Sequence, residues 1–258
     1  MSLTVIHFSD IHIKTADDVI LKRVKELKTA CVSSLPSNGD VILSISGDIA
    51  FSGSKQQFEL AKKLIDEVTE YISEQKKSRV YVAIVPGNHD CDFSTETSIR
   101  KTLIASVHQS NIDLDYYRNV ASVQNEYQNF AKSYGIDIDT VLPRIEIKCG
   151  DFSVLFVMVN SAWMSVLHEN PGNLIIPCHL YEKVSPEKYK IVFYMFHHPL
   201  SWLNPDLKKQ FVEHIRQNAD MILLGHEHER DSYNKMGATF SVYCSHGKEL
   251  QDNKSDDS

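Results

Sequence analysis

Seven side chains that favour metal ions stand just beyond short apolar runs, in five clusters spread along the chain. They are Asp10 and His12, then Asp48, then Asn88, then His197, and finally His226 with His228. This spacing constrains the fold more than composition does. A zinc finger or similar local site keeps its ligands close in sequence. Ligands that each follow a strand-like run meet in space instead, because the strands of one sheet end along a common edge. Carboxylate, amide and imidazole together suit two divalent metals held on strand-end loops.

The apolar runs support that geometry. Leu3 to Phe8 reads as a buried strand, with Asp10 just past its end. From Asp17 to Leu35, apolar residues at helical spacing predict one amphipathic helix. Val41 to Ser46 predicts a second strand, ending at Gly47-Asp48. Ser54 to about Glu74 predicts a long helix with Ser54 as its N-cap. Arg79 to Val85 predicts a third strand, stopped by Pro86-Gly87. Strand, helix, strand, helix, strand implies a parallel sheet with crossover helices. Phe93 to Asp139 is polar and helically patterned, an expected helical insertion that either lids the site or packs beside it. Arg144–Lys148 and Phe152–Val159 predict a hairpin that opens a second sheet. Tyr189–Phe196 and Met221–Leu224 predict strands around a helix over Pro205–Gln217. A last hairpin is expected across Met236-Gly237.

Bulk properties narrow the class. The chain has 258 residues, ample for one large core, and 42% hydrophobic and 24% charged residues, as in ordinary globular proteins. No apolar run approaches the roughly 20 residues of a membrane helix, and Met1-Ser2-Leu3-Thr4 does not open a signal peptide. Five scattered cysteines, Cys31, Cys91, Cys149, Cys178 and Cys244, form no CxxC pair and predict reduced thiols in a cytoplasmic protein. A net charge of −7 gives no general attraction to nucleic acid or anionic membrane.

Each cluster has its own chemistry. Asp10-Ile11-His12 offers a carboxylate and an imidazole two residues apart. Gly47 lets the backbone come close to a metal, and Asp48 can bridge two cations. In Gly87-Asn88-His89-Asp90, Asn88 supplies a neutral oxygen and His89 stands beside it without having to ligate. His197-His198-Pro199 and Gly225-His226-Glu227-His228 add imidazoles at two further strand ends. A single histidine is more often a surface or core residue; five clusters in one order are not so explained.

The order Asp-x-His, Gly-Asp, Gly-Asn-His-Asp, His-x-Pro, Gly-His-x-His resembles the calcineurin-like metallophosphoesterase superfamily, over about Leu3 to Tyr243. Gly47-Asp48-Ile49-Ala50-Phe51-Ser52-Gly53-Ser54 and Val85-Pro86-Gly87-Asn88-His89-Asp90 are most similar to its bacterial cyclic-nucleotide and glycerophosphodiester phosphodiesterases. The resemblance implies a four-layer α/β sandwich, two β-sheets face to face with helices outside. It implies that Asp10, His12 and His228 hold one metal, that Asn88, His197 and His226 hold another, and that Asp48 bridges them. It favours His197 over His198 as ligand, leaving His198 behind the ligand or facing substrate. It also implies a bridging hydroxide as nucleophile, charge stabilisation by Asn88, His89 as general acid, and Asp90 as a candidate to steady the His89 ring. Oxygen and nitrogen ligands without thiolate fit manganese, iron or zinc, with manganese favoured for activity in vitro.

Three functions follow. The first is a phosphodiesterase acting on a nucleotide or small diester. The second is a metal-dependent nuclease, which the acidic balance disfavours; Lys55, Lys62, Lys63, Lys76, Lys77 and Arg79 form a modest basic set that otherwise reads as a solvated face. The third is a non-catalytic scaffold, as in the retromer subunit of this fold, where ligands have been lost. Specificity is expected in the helical insertion, in Ser161–Pro177 and in the loop after His198, with Trp163, His168 and Trp202 either lining a pocket or packing a core. The expected domain spans residues 1–246. The strands that usually follow Gly-His-x-His are missing from the resemblance, and the polar tail over 247–258 reads either as an interrupted loop of a longer polypeptide with further C-terminal domains or as a short disordered tail.

Overall fold

The computed structural model describes residues 2–227, together with the backbone of residues 231–235 and 238–242. The chain opens with β1 (Leu3–Phe8), α1 (Val19–Lys22), α2 (Val24–Ser33), β2 (Asp40–Ser46), α3 (Lys55–Lys76) and β3 (Val80–Val85). The three strands form a parallel sheet in the order β1-β2-β3, with Phe8 opposite Ile45 and Ser46 opposite Val85. The central strand β2 is buried almost throughout, Ser44 and Ser46 included, because both its faces are covered. On α3, Phe58, Ala61, Leu64, Ile65, Val68 and Ile72 form one buried stripe at helical spacing. Ser54 is the N-cap of α3, but its side chain makes no capping hydrogen bond.

One expected element differs. The helix over 17–35 is two helices, parted at Arg23, whose φ of −108° and ψ of 20° leave the helical region. Ile20, Leu21, Val24 and Leu27 nevertheless all pack on the same core. Periodicity reports which face is buried, and it survives a break in the backbone.

The segment after β3 is helical, as its patterning predicts: α4 (Ser98–Ala105), α5 (Leu114–Val120) and α6 (Asn125–Lys132), joined by single 3₁₀ turns. It brackets two cores. Phe130 of α6 packs on Phe58 of α3, with ring centroids 5.1 Å apart. Val120 of α5 lies in the other core, with Trp163.

The second sheet contains β4 (Arg144–Cys149), β5 (Phe152–Met158), β6 (Ile191–Met195) and β7 (Met221–Leu223), in that order, with α7 (Lys208–Asn218) between the last two in sequence. β4 and β5 form an antiparallel hairpin; β5, β6 and β7 run parallel. Side chains alternate with the strand period of two. Val154, Phe156, Met158, Phe193, Met195 and Leu223 join the core of the first sheet. Leu155, Val157, Val192, Tyr194 and Ile222 face a second core with Phe211 and Ile215 of α7. Phe156 and Phe193 stack at 4.5 Å in the space between the sheets. The result is a four-layer α/β/β/α sandwich. The last hairpin pairs β8 (Asp231–Lys235) with β9 (Ala238–Val242), antiparallel, and β9 runs beside β7.

Candidate metal centre

β1, β2, β3, β6 and β7 all end on one side of the sandwich, and each candidate ligand among the described residues stands two to four residues beyond its strand. Backbone hydrogen bonds knit these loops together. The Asp10 N–H donates to the Gly47 carbonyl at 3.1 Å and the His12 N–H to the Asp48 carbonyl at 2.9 Å. The Gly225 N–H donates to the His197 carbonyl at 3.1 Å. The His226 N–H donates to the Asp10 carboxylate at 3.1 Å, which ties the end of the second sheet to the first.

Backbone strain is concentrated at these positions. Among described residues, five non-glycine residues have positive φ, and four are candidate ligands: Asp10 (54°), His12 (52°), Asp48 (53°) and His226 (72°). A non-glycine residue pays of order 1–3 kcal/mol for such a conformation, and it persists only where the surroundings over-determine it. Gly87 belongs to the same construction, since a Cβ there would enter the Asp48 carboxylate.

The side chains converge. Asp10, Asp48 and His197 present ligand atoms within 4.8 Å of one another, as do His12, Asp48 and His89, and His197, His198 and His226. Asp48 is central. Its Oδ1 accepts the His89 N–H at 2.9 Å; its Oδ2 lies 3.2 Å from His197 Nε2 and 3.8 Å from His12 Nε2. The His197 Nδ1–H donates to the Ser46 carbonyl at 2.8 Å, so Nε2 is the nitrogen turned toward Asp48. His226 Nδ1 is 3.1 Å from the same Nε2.

Electrostatics follow from that crowding. Burial pushes the Asp48 carboxyl up, but His197, then His12 and His89, outweigh it and hold it well below the usual carboxylate range. Burial pushes His197 down, and Asp48 beside it more than compensates, raising it to about 9. Burial lowers His12 to about 4, against the pull of Asp48. A carboxylate oxygen and a ring nitrogen 3.2 Å apart need a proton or a cation between them, and without a metal the proton on His197 serves. Asn88 Oδ1 is buried and has no hydrogen-bond partner among the described residues. A buried lone pair without a donor, beside a mixed oxygen and nitrogen donor set, fits a divalent cation.

His89 and Asp90 play different parts. The His89 Nδ1–H donates to the Phe51 carbonyl at 2.8 Å, which leaves Nε2 available. Asp90 is fully buried and accepts N–H groups of Ala50 at 2.8 Å and Gly87 at 2.9 Å. Its carboxylate clamps the loops that follow β2 and β3, and the Phe51 carbonyl is what orients His89. Burial and the nearby Asp48 raise Asp90 to about 7. Beside His89 and Asn88 opens a cleft of about 630 Å³, lined also by Phe51, Phe93 and Leu167.

His228 lies outside the described residues. Of the aromatic candidates, Trp163 is fully buried in the second core and donates to the Ile175 carbonyl, His168 is exposed, and the Trp202 ring packs 4.1 Å from His226. Ser46, Phe51, Ser161 and Glu169 escape sequence reasoning: the first two act through backbone carbonyls, and the others meet His198 across 37 and 29 residues.

The fold and this cluster define an α/β sandwich with a candidate metal-binding donor set at its strand ends. The sequence profile of the calcineurin-like phosphoesterases matches residues 3–230, and the chain belongs to that family. No curated protein matches it in sequence. Among solved structures it is similar to a putative 5′-nucleotidase from Staphylococcus aureus in complex with alpha-ketoglutarate, at 12% identity and a TM-score of 0.49, over 93% of this chain and 48% of that one. It is also similar to the phosphopantetheinyl hydrolase PptH from Mycobacterium tuberculosis, at 15% identity and a TM-score of 0.41, over 98% of this chain and 93% of that one. A third is the protein TT1561 of Thermus thermophilus, at 10% identity and a TM-score of 0.46, over 93% and 88% of the two chains. The chain thus spans about half the length of the nucleotidase structure.

Proposed function

We propose that this protein is a two-metal phosphodiesterase acting on a nucleotide or another small diester. The observation that carries the reading is the convergence of Asp10, His12, Asp48, His197 and His226 on one edge, four of them held at positive φ, with Asn88 Oδ1, unpartnered among the described residues, buried at the end of the neighbouring strand. A scaffold that had lost its activity has no need of such strain.

In this reading Asp10, His12 and His228 hold one cation, Asn88, His197 and His226 the other, and Asp48 reaches both. When bound, two cations supply an acidified water and positive charge for the phosphoryl oxygens, with manganese, iron or zinc all compatible with the donors. The chain's own residues do the rest. The Ser46 carbonyl keeps the His197 Nε2 turned inward. The Phe51 carbonyl holds the His89 ring beside the cleft through Nδ1–H, so that the ring, when protonated on both nitrogens, can deliver the Nε2 proton to a leaving alkoxide and become the neutral Nδ1–H imidazole. Asp90 keeps Asn88 and His89 in place through the Gly87 and Ala50 amides.

A nuclease is less well supported. Among the described residues that line the cleft beside His89 there is no lysine or arginine, and Lys14 stands only behind the Phe51 ring, 3.9 Å from its centroid. In the basic set near α3, Lys62 pairs with Asp66 and Arg79 with Asp40, as on a solvated face.

The test is hydrolysis of bis(p-nitrophenyl) phosphate against p-nitrophenyl phosphate, metal-free and with manganese, beside Asp48→Asn and His89→Ala. The expected result is manganese-dependent diester cleavage, absent in Asp48→Asn. His89→Ala retains its metals and loses about 10²–10⁴-fold in turnover, most for esters with poor leaving groups. Metal-loaded protein that cleaves neither ester would contradict the assignment.

A further inference from the structure

One buried cluster beside the metal centre has no part in the mechanism above. It consists of Ser161, His198 and Glu169. The side chains of His198 and Glu169 are 0% and 6% exposed. The Ser161 Oγ accepts the N–H of His197 at 3.2 Å and of His198 at 3.0 Å. With both lone pairs occupied, its O–H is left to donate, and it meets His198 Nδ1 at 3.0 Å. Nδ1 is therefore an acceptor, and the ring hydrogen sits on Nε2, which donates to Glu169 Oε2 at 3.0 Å. Only this tautomer satisfies the whole chain of contacts; with the hydrogen on Nδ1, two donors would face each other at Ser161.

The His198 ring also fills a particular place. Its centroid lies 4.8 Å from that of His197 and 4.7 Å from that of His226, which are themselves 5.0 Å apart, so the three rings form a triangle in which His198 packs against both of the others. Both of its nitrogens are engaged away from them. The loop that carries Glu169 is fixed in turn by Arg100, whose guanidinium donates to the Ser165 carbonyl at 2.6 Å and to the Val120 carbonyl at 2.6 Å.

We infer that Glu169 is a positioning residue: through His198 and Ser161 it sets the orientation of His197 and His226, and so the affinity of the one cation that these two imidazoles and Asn88 would hold. The inference rests on the two-metal reading. It makes a claim that reading does not, namely that the two cations respond differently to a residue that touches neither. The cation assigned to Asp10, His12 and His228 stands one step further along, reached from Glu169 only through the His226 amide on the Asp10 carboxylate and through Asp48 beside His197.

The experiment is a calorimetric manganese titration of the wild type, Glu169→Ala, Glu169→Gln and Ser161→Ala. Thermal melts establish folding, and kcat and KM are measured for bis(p-nitrophenyl) phosphate. Ser161→Ala removes one oxygen atom and keeps the test available should Glu169→Ala fail to fold. The wild type is expected to bind two ions. Glu169→Ala and Ser161→Ala weaken one of the two by about 10–100-fold and the other much less; their kcat recovers as manganese is raised, with KM for the ester unaltered. Glu169→Gln stays near wild type, because its amide oxygen still accepts from Nε2–H. Equal weakening of both ions, unchanged binding in the folded variants, or a Glu169→Gln variant as defective as Glu169→Ala would overturn the inference. A wild type that binds fewer than two ions would instead overturn the two-metal reading, and this inference with it.

Discussion

Asp48 and His197 face each other at 3.2 Å, and a proton and a cation compete for the space between them. His197 is raised to about 9, from an ordinary imidazole value near 6.5. A group whose pKa is raised by folding contributes stability that is complete below its unfolded value and disappears as pH climbs through the folded one. Metal-free protein should therefore lose thermal stability between about pH 6.5 and 9, measured as a falling Tm. Asp90, raised to about 7, acts in the same sense at lower pH, where His12, lowered to about 4, opposes it; the window above pH 7 belongs to His197. Saturating manganese should flatten the decline, since the cation replaces the proton, and manganese affinity should rise with pH over the same interval. A Tm of the metal-free protein that is constant or rising from pH 7 to 9 would contradict this account. The candidate ligands themselves were legible in the sequence, because each follows an apolar run and pairs with glycine, histidine or proline. Ser161 and Glu169 were not. Neither stands in a motif, and their role consists of contacts with His198 that only the folded chain brings about.

At the scale of elements, legibility followed burial. The runs Val41–Leu43 of β2, Val154–Met158 of β5 and Ile191–Met195 of β6 are apolar because both faces of these strands are covered, and the sequence shows it. The break between α1 and α2 was invisible, because the residues on either side of Arg23 bury the same face. The helices between β3 and β4 were legible as helices, but their anchoring was not. It depends on Arg100, whose side chain is fully buried. Arg100 pairs with Glu96 and donates to the carbonyls of Val120 and Ser165, so it joins α4, the end of α5 and the loop that bears Glu169. Replacing it leaves a largely buried Glu96 and two carbonyls without their donor. Arg100→Ala should destabilise the fold by about 3–5 kcal/mol in denaturant titration. A loss below about 1 kcal/mol, the value of an ordinary surface pair, would show that this arginine anchors nothing.

At the scale of the molecule, the site exists because two sheets end on one edge. Asp10, Asp48 and Asn88 come from the first sheet, and His197 and His226 from the second. Contacts among the described residues that cross between them include the His226 amide on the Asp10 carboxylate, the His197 ring on the Ser46 carbonyl and His197 Nε2 against Asp48. The four-layer arrangement followed from the alternation of strand and helix and from the spread of the ligands; the pairing across the sheets needed the packed core between them. No helix among the described residues is long and apolar enough to cross a membrane. The central claim is that this edge holds two cations. Anomalous diffraction from crystals grown with manganese tests it most directly. The account predicts two peaks, one bonded to Asp10 and His12, the other to Asn88, His197 and His226, with Asp48 reaching both. A single peak, or two peaks away from these side chains, would contradict it.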